Sequence, residues 1–238
     1  MKKHVLICLV VVVIFLCAGI VSADADNAKS FLKNIKWLGH DTFRITGEKL
    51  IYTDPFKLKD KDASEKADII LITHEHRDHC SPDDVKKIQG PNTVIVTTPT
   101  CAVKLSGNIK KVKPGDMPSI GNIRIEAVPA YNIDKKYHIK DSNDVGYIVN
   151  VGGLRLYFAG DTDYIPEMKT FKHINIAFLP VSGTYVMTAE EAAKAAIDIK
   201  PDIAIPMHYG KVIGSRMNAE KFAEELRGKV DVVILNEE

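Results

Sequence analysis

The feature that most constrains this chain is a cluster of four candidate metal ligands within six residues. Residues 74–79 read His-Glu-His-Arg-Asp-His. Four apolar residues precede the cluster and predict a buried strand over residues 68–72. Ser81 followed by Pro82 is typical of a helix start. The cluster therefore lies on the turn from a strand end into a helix, where α/β proteins commonly place their chemistry.

Imidazole and carboxylate groups are suited to zinc, iron, manganese or nickel. Side chains alternate along an extended segment, so we expect His74 and His76 to point to the same side. Asp78 and His79 follow where the chain turns, so they can face a second position. Three of the eight histidines of the chain fall within these six residues, which disfavours a surface loop that is rich in histidine by chance. The sequence therefore predicts one or two divalent ions per chain, with zinc as the first expectation.

The order His-x-His-x-Asp-His after an apolar strand resembles the signature of the metallo-β-lactamase superfamily. The resemblance runs from about Lys36 to the C-terminus. Its further segments are Trp37-Leu38-Gly39-His40, Thr53-Asp54-Pro55, Ala159-Gly160-Asp161-Thr162 and Pro206-Met207-His208-Tyr209-Gly210. Together they are similar to a branch of metal-dependent hydrolases related to L-ascorbate-6-phosphate lactonase. The resemblance implies an α/β (α+β) fold, a four-layer αββα sandwich with a dinuclear metal site at one edge.

The resemblance also implies how the ligands divide between two ions. They are His74 and His76 for the first ion, Asp78, His79 and His208 for the second, and Asp161 as a bridge. Asp161 and His208 each follow an apolar run, as expected at strand ends. His40 and Asp54 are interpreted as residues that support the ligands or line the pocket.

One position departs from the family pattern. The family has a ligand histidine in the segment that here reads Val-Pro-Ala-Tyr-Asn over residues 128–132, so Asn132 takes its place. An amide oxygen is a weaker ligand than imidazole. We therefore expect the first site to be weak, to hold a different metal, or to be completed by water or by His138.

If His138 is not a ligand, we expect it to be an exposed loop residue among three lysines. Lys135, Lys136 and Lys140 either contact an anionic group of a substrate or are simply solvated. The side chains of Tyr185 and Met187 either line the pocket or pack within their loop.

Residues 1–23 predict a secretory signal peptide. Lys2 and Lys3 make a basic start, residues 5–21 are almost wholly apolar, and Val-Ser-Ala at residues 21–23 fits cleavage after Ala23. An uncleaved membrane anchor is the alternative. The protein is thus expected to be secreted or otherwise outside the cytoplasm, or anchored to the membrane through this segment.

Beyond the leader, residues 24–34 are expected to be a polar spacer and residues 35–238 a single hydrolase domain. A chain of 238 residues with 45% hydrophobic content can bury one sizeable core. Cys80 and Cys101 are the cysteines beyond the leader, and they form either one disulfide or two free thiols.

The pattern of apolar residues predicts two sheets with helices outside. Residues 35–53 read as an antiparallel meander, residues 120–128 as one strand and residues 145–159 as a hairpin. Residues 188–199 read as a helix, Asn218 as the cap of a helix that ends near residue 226, and residues 230–235 as the last strand.

The predicted function is metal-dependent hydrolysis, with a metal-activated water attacking an ester, lactone, amide or phosphodiester bond of a small molecule. Asp78 is expected to orient the nucleophile and move protons. The net charge of +1 gives no support for a nucleic-acid substrate. The alternative is a metal-binding or scaffold protein of the same fold that has weak or lost turnover because of Asn132.

Overall fold

The computed structural model describes residues 25–238. The signal peptide or membrane anchor predicted for residues 1–23 lies outside the described residues and stays a prediction. Within residues 25–238, no helix is both long and apolar enough to cross a membrane.

The described chain forms thirteen strands and five α-helices. The helices are α1 (residues 25–31), α2 (Pro82–Ile88), α3 (Pro99–Ala102), α4 (Ala189–Ile199) and α5 (Arg216–Glu225). The strands are β1 (Ile35–Gly39), β2 (Thr42–Thr46), β3 (Leu50–Thr53), β4 (Ala67–Ile72), β5 (Gln89–Thr97), β6 (Asn108–Lys111), β7 (Ser119–Ile120), β8 (Ile123–Pro129), β9 (Val145–Val151), β10 (Leu154–Phe158), β11 (Ile176–Pro180), β12 (Ile203–Met207) and β13 (Asp231–Val232). Short 3₁₀ helices occupy Leu32–Asn34, Asp60–Ala63, Lys140–Ser142 and Pro166–Thr170.

The strands form two sheets that each follow the chain order. The first sheet has the order β1-β2-β3-β4-β5-β6, and the second has the order β13-β12-β11-β10-β9-β8-β7. Strands β1 to β3 pair antiparallel, which confirms the predicted meander, and β3 to β6 pair in parallel. In the second sheet, β7 to β10 are antiparallel and β10 to β13 are parallel.

The main core lies between the two sheets. Phe43 of the first sheet packs on Phe178 of the second, with ring centroids 4.5 Å apart. Alternate residues of β4 divide between the two faces, because side chains repeat every two residues. Ile69 and Leu71 join this core, whereas Ile70 joins a second cluster beneath α2. Strand β4 is therefore buried on both faces, which explains its continuous apolar run.

Helices cover the outer faces of both sheets. Val85 and Ile88 of α2 pack on the first sheet, and α4 packs along β11 of the second. The result is the predicted four-layer arrangement of helix, sheet, sheet and helix. Helix α4 begins at Thr188, whose side chain forms the predicted capping box with Glu191.

Residues 25–34 are not a spacer. Residues 25–31 form α1, and Ala28 and Phe31 are buried in the core between the sheets. These two residues lie three apart and therefore share one face of the helix. The expectation overlooked that pattern because the neighbouring residues are polar.

Three predicted elements differ from the structure. The single strand over residues 120–128 is a hairpin, because the chain turns at Gly121, which has a positive φ of 59°. Helix α5 begins after Ser215, and Asn218 completes its capping box by accepting a hydrogen bond from the Ser215 N–H. The last strand is only Asp231–Val232, because the chain then crosses to the first sheet, where Glu237 bridges Trp37.

The two cysteines beyond the leader form a disulfide. Cys80 precedes α2 and Cys101 lies in α3, and their Cα atoms are 6.2 Å apart. The bond sits in the cluster between the first sheet and α2. It thus fastens the segment that directly follows residues 74–79.

Candidate dinuclear metal site

The candidate ligands come from loops at one edge of the two sheets. In the first sheet, His40 and Asp41 occupy the β1–β2 turn and residues 74–79 follow β4. In the second sheet, Asp161 follows β10 and His208 follows β12. The rings of His40 and His208 have centroids 4.1 Å apart, so the loops of the two sheets meet.

Several of these residues have a left-handed backbone conformation. His40, Asp54, His138 and His208 have φ values of 54°, 35°, 56° and 60°. Histidine and aspartate are among the non-glycine residues that adopt this conformation most readily. Such strain is concentrated at functional sites, where the surrounding structure holds it in place. His40, Asp54 and His208 directly follow strand ends, whereas His138 lies within the loop between β8 and β9.

A first group of ligand atoms comes from His74, His76 and His138, all within 4.8 Å of one another. The orientation of His74 follows from its partners. Thr73 Oγ1 donates its hydrogen to Asp54 Oδ2 at 2.8 Å. Thr73 Oγ1 therefore acts as the acceptor in its 2.9 Å contact with His74, whose Nδ1–H donates. His74 Nε2 then carries a lone pair, and it is buried without a hydrogen-bond partner.

A second group consists of His40, Asp78, His79 and His208, again within 4.8 Å. Nε2 of His40 lies 3.2 Å from Asp78 Oδ2. Across both groups, three imidazoles are anchored through Nδ1 on their outer side, as ligand histidines usually are. The Nδ1 contacts are 2.9 Å from His79 to Asp54 Oδ2, 3.2 Å from His138 to Asp144 Oδ2 and 2.9 Å from His208 to Ser182 Oγ.

Asp161 lies between the two groups. Its Oδ2 is 3.2 Å from Nε2 of His138, which belongs to the first group, and 3.2 Å from Nε2 of His208, which belongs to the second. Its Oδ1 is 3.4 Å from Nε2 of His79 and forms no hydrogen bond. A carboxylate in this position is able to serve both groups at once.

Charge coupling dominates the electrostatics of the site. Burial alone would raise the pKa of Asp161, but the charges of His208 and His79 hold it well below its usual value. Burial lowers the pKa of His138, but hydrogen bonds to Asp144 and Asp161 outweigh burial and raise it to about 9. Protonated imidazoles thus balance the negative charge of the buried Asp161 carboxylate. A divalent cation would do the same and would compete with the protons for the nitrogen atoms.

Burial sets the direction of the pKa shift for two further histidines, and charged or hydrogen-bonded neighbours set it for Asp78. Burial holds the pKa of His74 well below its usual value, so this imidazole is neutral and available as a ligand. Burial lowers the pKa of His40 to about 4. For Asp78, burial is opposed by the hydrogen bond from His40 and the charge of His79, and its pKa is lowered. Asp78 is therefore ionised at neutral pH.

The residues present fit two divalent metal ions. His74 Nε2, His79 Nε2 and Asp161 Oδ1 are buried and lack hydrogen-bond partners. Buried polar atoms are normally satisfied, so three such atoms in one place call for a ligand. Imidazole nitrogens with carboxylate oxygens are a donor set for zinc, iron or manganese.

His138 completes the first group, and Asn132 holds the loop that carries it. The expectation of an exposed His138 is wrong, because its exposed fraction is only 6%. Asn132 Nδ2 donates to the carbonyl oxygens of Tyr137 at 3.0 Å and Tyr185 at 2.6 Å. The Asn132 backbone N–H also donates to the His138 carbonyl oxygen at 2.6 Å. Asn132 thus stands where the family has a histidine, and His138, six residues later, lies in the first group instead.

The ligands line an open cleft of about 300 Å³. Its walls are His76, Arg77, Asp78, Tyr137, His138, Asp161, Tyr185 and His208. Tyr185 lines the cleft, one of its two expected positions, whereas Met187 is fully buried in the core. Lys135 pairs with Asp163 and Lys140 with Glu167, so these two lysines are neutralised within the chain.

Sequence reasoning missed several residues that support the site. Asp144 and Ser182 anchor His138 and His208, and nothing in their local sequence marks them. Asp41 is buried, both its carboxylate oxygens lack partners, and its Oδ2 lies 3.8 Å from His79 Nδ1. Burial raises the pKa of Asp41 to about 7. In the sequence, only its position next to His40 in the β1–β2 turn could have indicated that Asp41 lies at the site.

Comparisons with known proteins identify the family of this chain. A family model described as a β-lactamase superfamily domain matches residues 34–208. A UPF0173 metal-dependent hydrolase of Thermococcus onnurineus is 33% identical over 216 residues, covering 84% of this chain and 95% of the relative. One of Pyrococcus furiosus is 35% identical over 218 residues, with coverage of 84% and 95%.

Solved structures give the same result. A candidate metal-dependent hydrolase of Parabacteroides distasonis has a TM-score of 0.76 and 40% identity, covering 85% of this chain and 93% of that one. A metallo hydrolase of Ignicoccus hospitalis has a TM-score of 0.72 over 85% of this chain and 94% of its own, and at 22% identity it supports the fold alone. The chain therefore belongs to the metallo-β-lactamase superfamily and, within it, to the UPF0173 group of metal-dependent hydrolases.

Proposed function

We propose that this chain hydrolyses an ester, lactone, amide or phosphodiester bond of a small molecule at a dinuclear metal centre. The observation that carries the proposal is the position of Asp161. One of its oxygens lies 3.2 Å from a histidine of each ligand group. A carboxylate shared in this way is what two adjacent cations require, because it partly neutralises both.

The first ion is assigned to His74, His76 and His138. The second is assigned to Asp78, His79 and His208, with Asp161 as the bridge. This assignment keeps the sequence-based ligands and replaces Asn132 by His138. The amide hydrogens of Asn132 hold the loop through two carbonyl oxygens, and its Oδ1 is buried without a partner. His138 is preferred as the ligand because it offers an imidazole nitrogen within 4.8 Å of those of His74 and His76. With three imidazoles in the first group, the reason for expecting a weak first site disappears.

Bound divalent ions would polarise the substrate and lower the pKa of a bound water from about 16 towards about 7. The side chains supply order and charge around that chemistry. The outer contacts of His79, His138 and His208 fix each ring with Nε2 towards the centre. Asp78 is ionised and lines the cleft, so it can accept a proton from water and pass it to a leaving group. Its contact with His40 holds the carboxylate in place.

We also propose that the protein works outside the cytoplasm. Two independent features support this. The sequence of residues 1–23 has the pattern of a secretory leader, and a disulfide joins Cys80 to Cys101. Structural disulfides persist mainly in oxidising compartments. Sequencing the N-terminus of protein purified from the producing cell tests the proposal: a start near Asp24 is expected, and an intact Met1 in the cytosolic fraction would contradict it.

Metal analysis of the full chain tests the proposed function. The protein is stripped with a chelator, reloaded with zinc or manganese, dialysed and analysed for metal. Two ions per chain are expected. The reloaded protein is then assayed on p-nitrophenyl acetate, δ-valerolactone, bis(p-nitrophenyl) phosphate and a chromogenic β-lactam, and metal-dependent turnover of at least one is expected.

A matched pair of variants separates ligand loss from general damage. His208→Asn and His173→Asn replace histidines that both have left-handed backbones, and His173 is exposed and outside the site. Asparagine tolerates that conformation, so neither change adds backbone strain. His208→Asn should lose metal and turnover, and His173→Asn should keep both. Two bound ions with no turnover on any of the substrates would instead support a metal-binding scaffold.

A further inference from the structure

Two tyrosines form one wall of the metal cleft. Tyr137 and Tyr185 both line it, with exposed fractions of 46% and 39%. Their rings pack edge to face, with centroids 5.5 Å apart. The ring of Tyr137 also lies 6.3 Å from that of His76, so the wall adjoins the first ligand group. The two rings thus offer a ligand an aromatic surface directly beside that group.

The chain holds this wall in place through its backbone. Asn132 Nδ2 donates to the carbonyl oxygens of both tyrosines, although the two residues are 48 positions apart in sequence. The buried amide thus ties the loop that carries His138 to the loop before α4. Because these contacts use carbonyl oxygens, they fix the two backbones and leave both rings at the cleft.

The rest of the cleft is polar. Its other walls consist of the candidate ligands together with Arg77. An apolar group that enters the cleft therefore has one surface on which to bury itself. Aromatic rings bury a large apolar area and are stabilised further when they pair with another ring.

We propose that Tyr137 and Tyr185 form a specificity wall that binds an aryl or larger alkyl group of the substrate beside the metal centre. This inference rests on the proposed function, because it assigns the substrate class of the same site. It identifies the substrate as a compound with an apolar group adjacent to the bond that is cleaved. Tyr185 is the better residue to test, since Lys136 lies over the ring of Tyr137 at 5.7 Å.

Binding of two phosphonates tests the wall without turnover. Phenylphosphonate and methylphosphonate carry the same anion, which resembles the tetrahedral state of ester hydrolysis, and they differ only in the apolar group. Their affinities for the zinc-loaded full chain are measured by calorimetry. The unmodified protein should bind phenylphosphonate about two- to tenfold more tightly, as one ring contact implies. Tyr185→Ala should bring that ratio close to one while the affinity for methylphosphonate stays the same.

Two controls make the result specific. Tyr185→Phe keeps the ring and should keep the ratio. Ile139→Ala removes an apolar side chain that is 53% exposed in the loop of Tyr137 but does not line the cleft, and it should leave the ratio unchanged. Three results would contradict the proposed role of the two tyrosines. They are an affinity ratio near one in the unmodified protein, an unchanged ratio in Tyr185→Ala, and failure of the protein to bind either phosphonate. Metal content and turnover of the same samples report separately on the proposed function.

Discussion

Replacing Asp54 by asparagine should weaken the second metal site with little change in shape. Asp54 is 1% exposed, and its carboxylate accepts three hydrogen bonds. Its Oδ1 accepts from the Thr73 N–H at 2.8 Å, and its Oδ2 accepts from Thr73 Oγ1 at 2.8 Å and from His79 Nδ1 at 2.9 Å. An asparagine oxygen can still accept from the Thr73 N–H. The asparagine NH₂ group then faces the Thr73 hydroxyl and the His79 Nδ1–H, which are donors themselves, and no acceptor is left for them.

The expected magnitude follows from the tautomer of His79. To accept from the new amide, the ring must move its proton from Nδ1 to Nε2, the atom needed as a ligand. Loss of such an outer partner typically costs 10- to 100-fold in metal affinity. That factor corresponds to about 1.4–2.8 kcal/mol of binding free energy. The first ion, which we assign to His74, His76 and His138, should also lose affinity, because Thr73 Oγ1 orients His74 through its hydrogen bond to Asp54.

Competition with a fluorescent zinc chelator measures both affinities in the stripped and reloaded protein. Asp68→Asn is the matched control, because Asp68 also accepts hydrogen bonds from a backbone N–H and a side chain, Leu50 and Lys49, but lies away from the site. It should leave both affinities unchanged. If Asp54→Asn also binds two ions with normal affinity, then the Asp54 contact does not orient His79 for a metal.

Three further outcomes are expected. His138→Asn should lose the first ion while His173→Asn keeps both, as measured by metal content; two ions in His138→Asn would remove His138 from the ligands. Asn132→His should not raise metal occupancy, and loss of the two amide hydrogen bonds should destabilise the protein by about 1–3 kcal/mol in urea unfolding; a gain of metal would return position 132 to the ligands. The Cys80–Cys101 bond spans 21 positions, and its reduction should lower the free energy of unfolding by about 3 kcal/mol. The double variant Cys80→Ser, Cys101→Ser is the control and should not respond to the reductant. If the unmodified protein is equally stable with and without reductant, the disulfide is not formed.

The strands and the main ligand cluster could be predicted because their signals are local. Four apolar residues before His74 predict a buried strand, and Thr188 with Glu191 predicts the start of α4. The sequence placed Asp161 and His208 at strand ends for the same reason. Local signals failed where a polar residue had two possible partners. Asn218 was expected to begin α5, but it closes the capping box of Ser215.

The metal site itself depends on contacts between distant residues. Asn132 and His138 belong to one loop, and the sequence alone left open which of them faces His74. The structure brings in His138, because the Asn132 amide is held by the carbonyl oxygen of Tyr185, 53 residues away. The anchors of the ligand histidines were equally hidden. Asp144 and Ser182 become recognisable only when folding places them behind His138 and His208.

The sequence by itself determined that this chain forms strands ending in histidines and aspartates suited to metal ions, because strand propensity and ligand chemistry belong to single residues and their neighbours. Only the tertiary structure decided which of those side chains share a site, which nitrogen of each imidazole is free, and which wall of the cleft is apolar. Those properties arise because the two sheets pack face to face and their loops meet at one end, so that residues more than 100 positions apart, such as His40 and His208, have ring centroids only 4.1 Å apart.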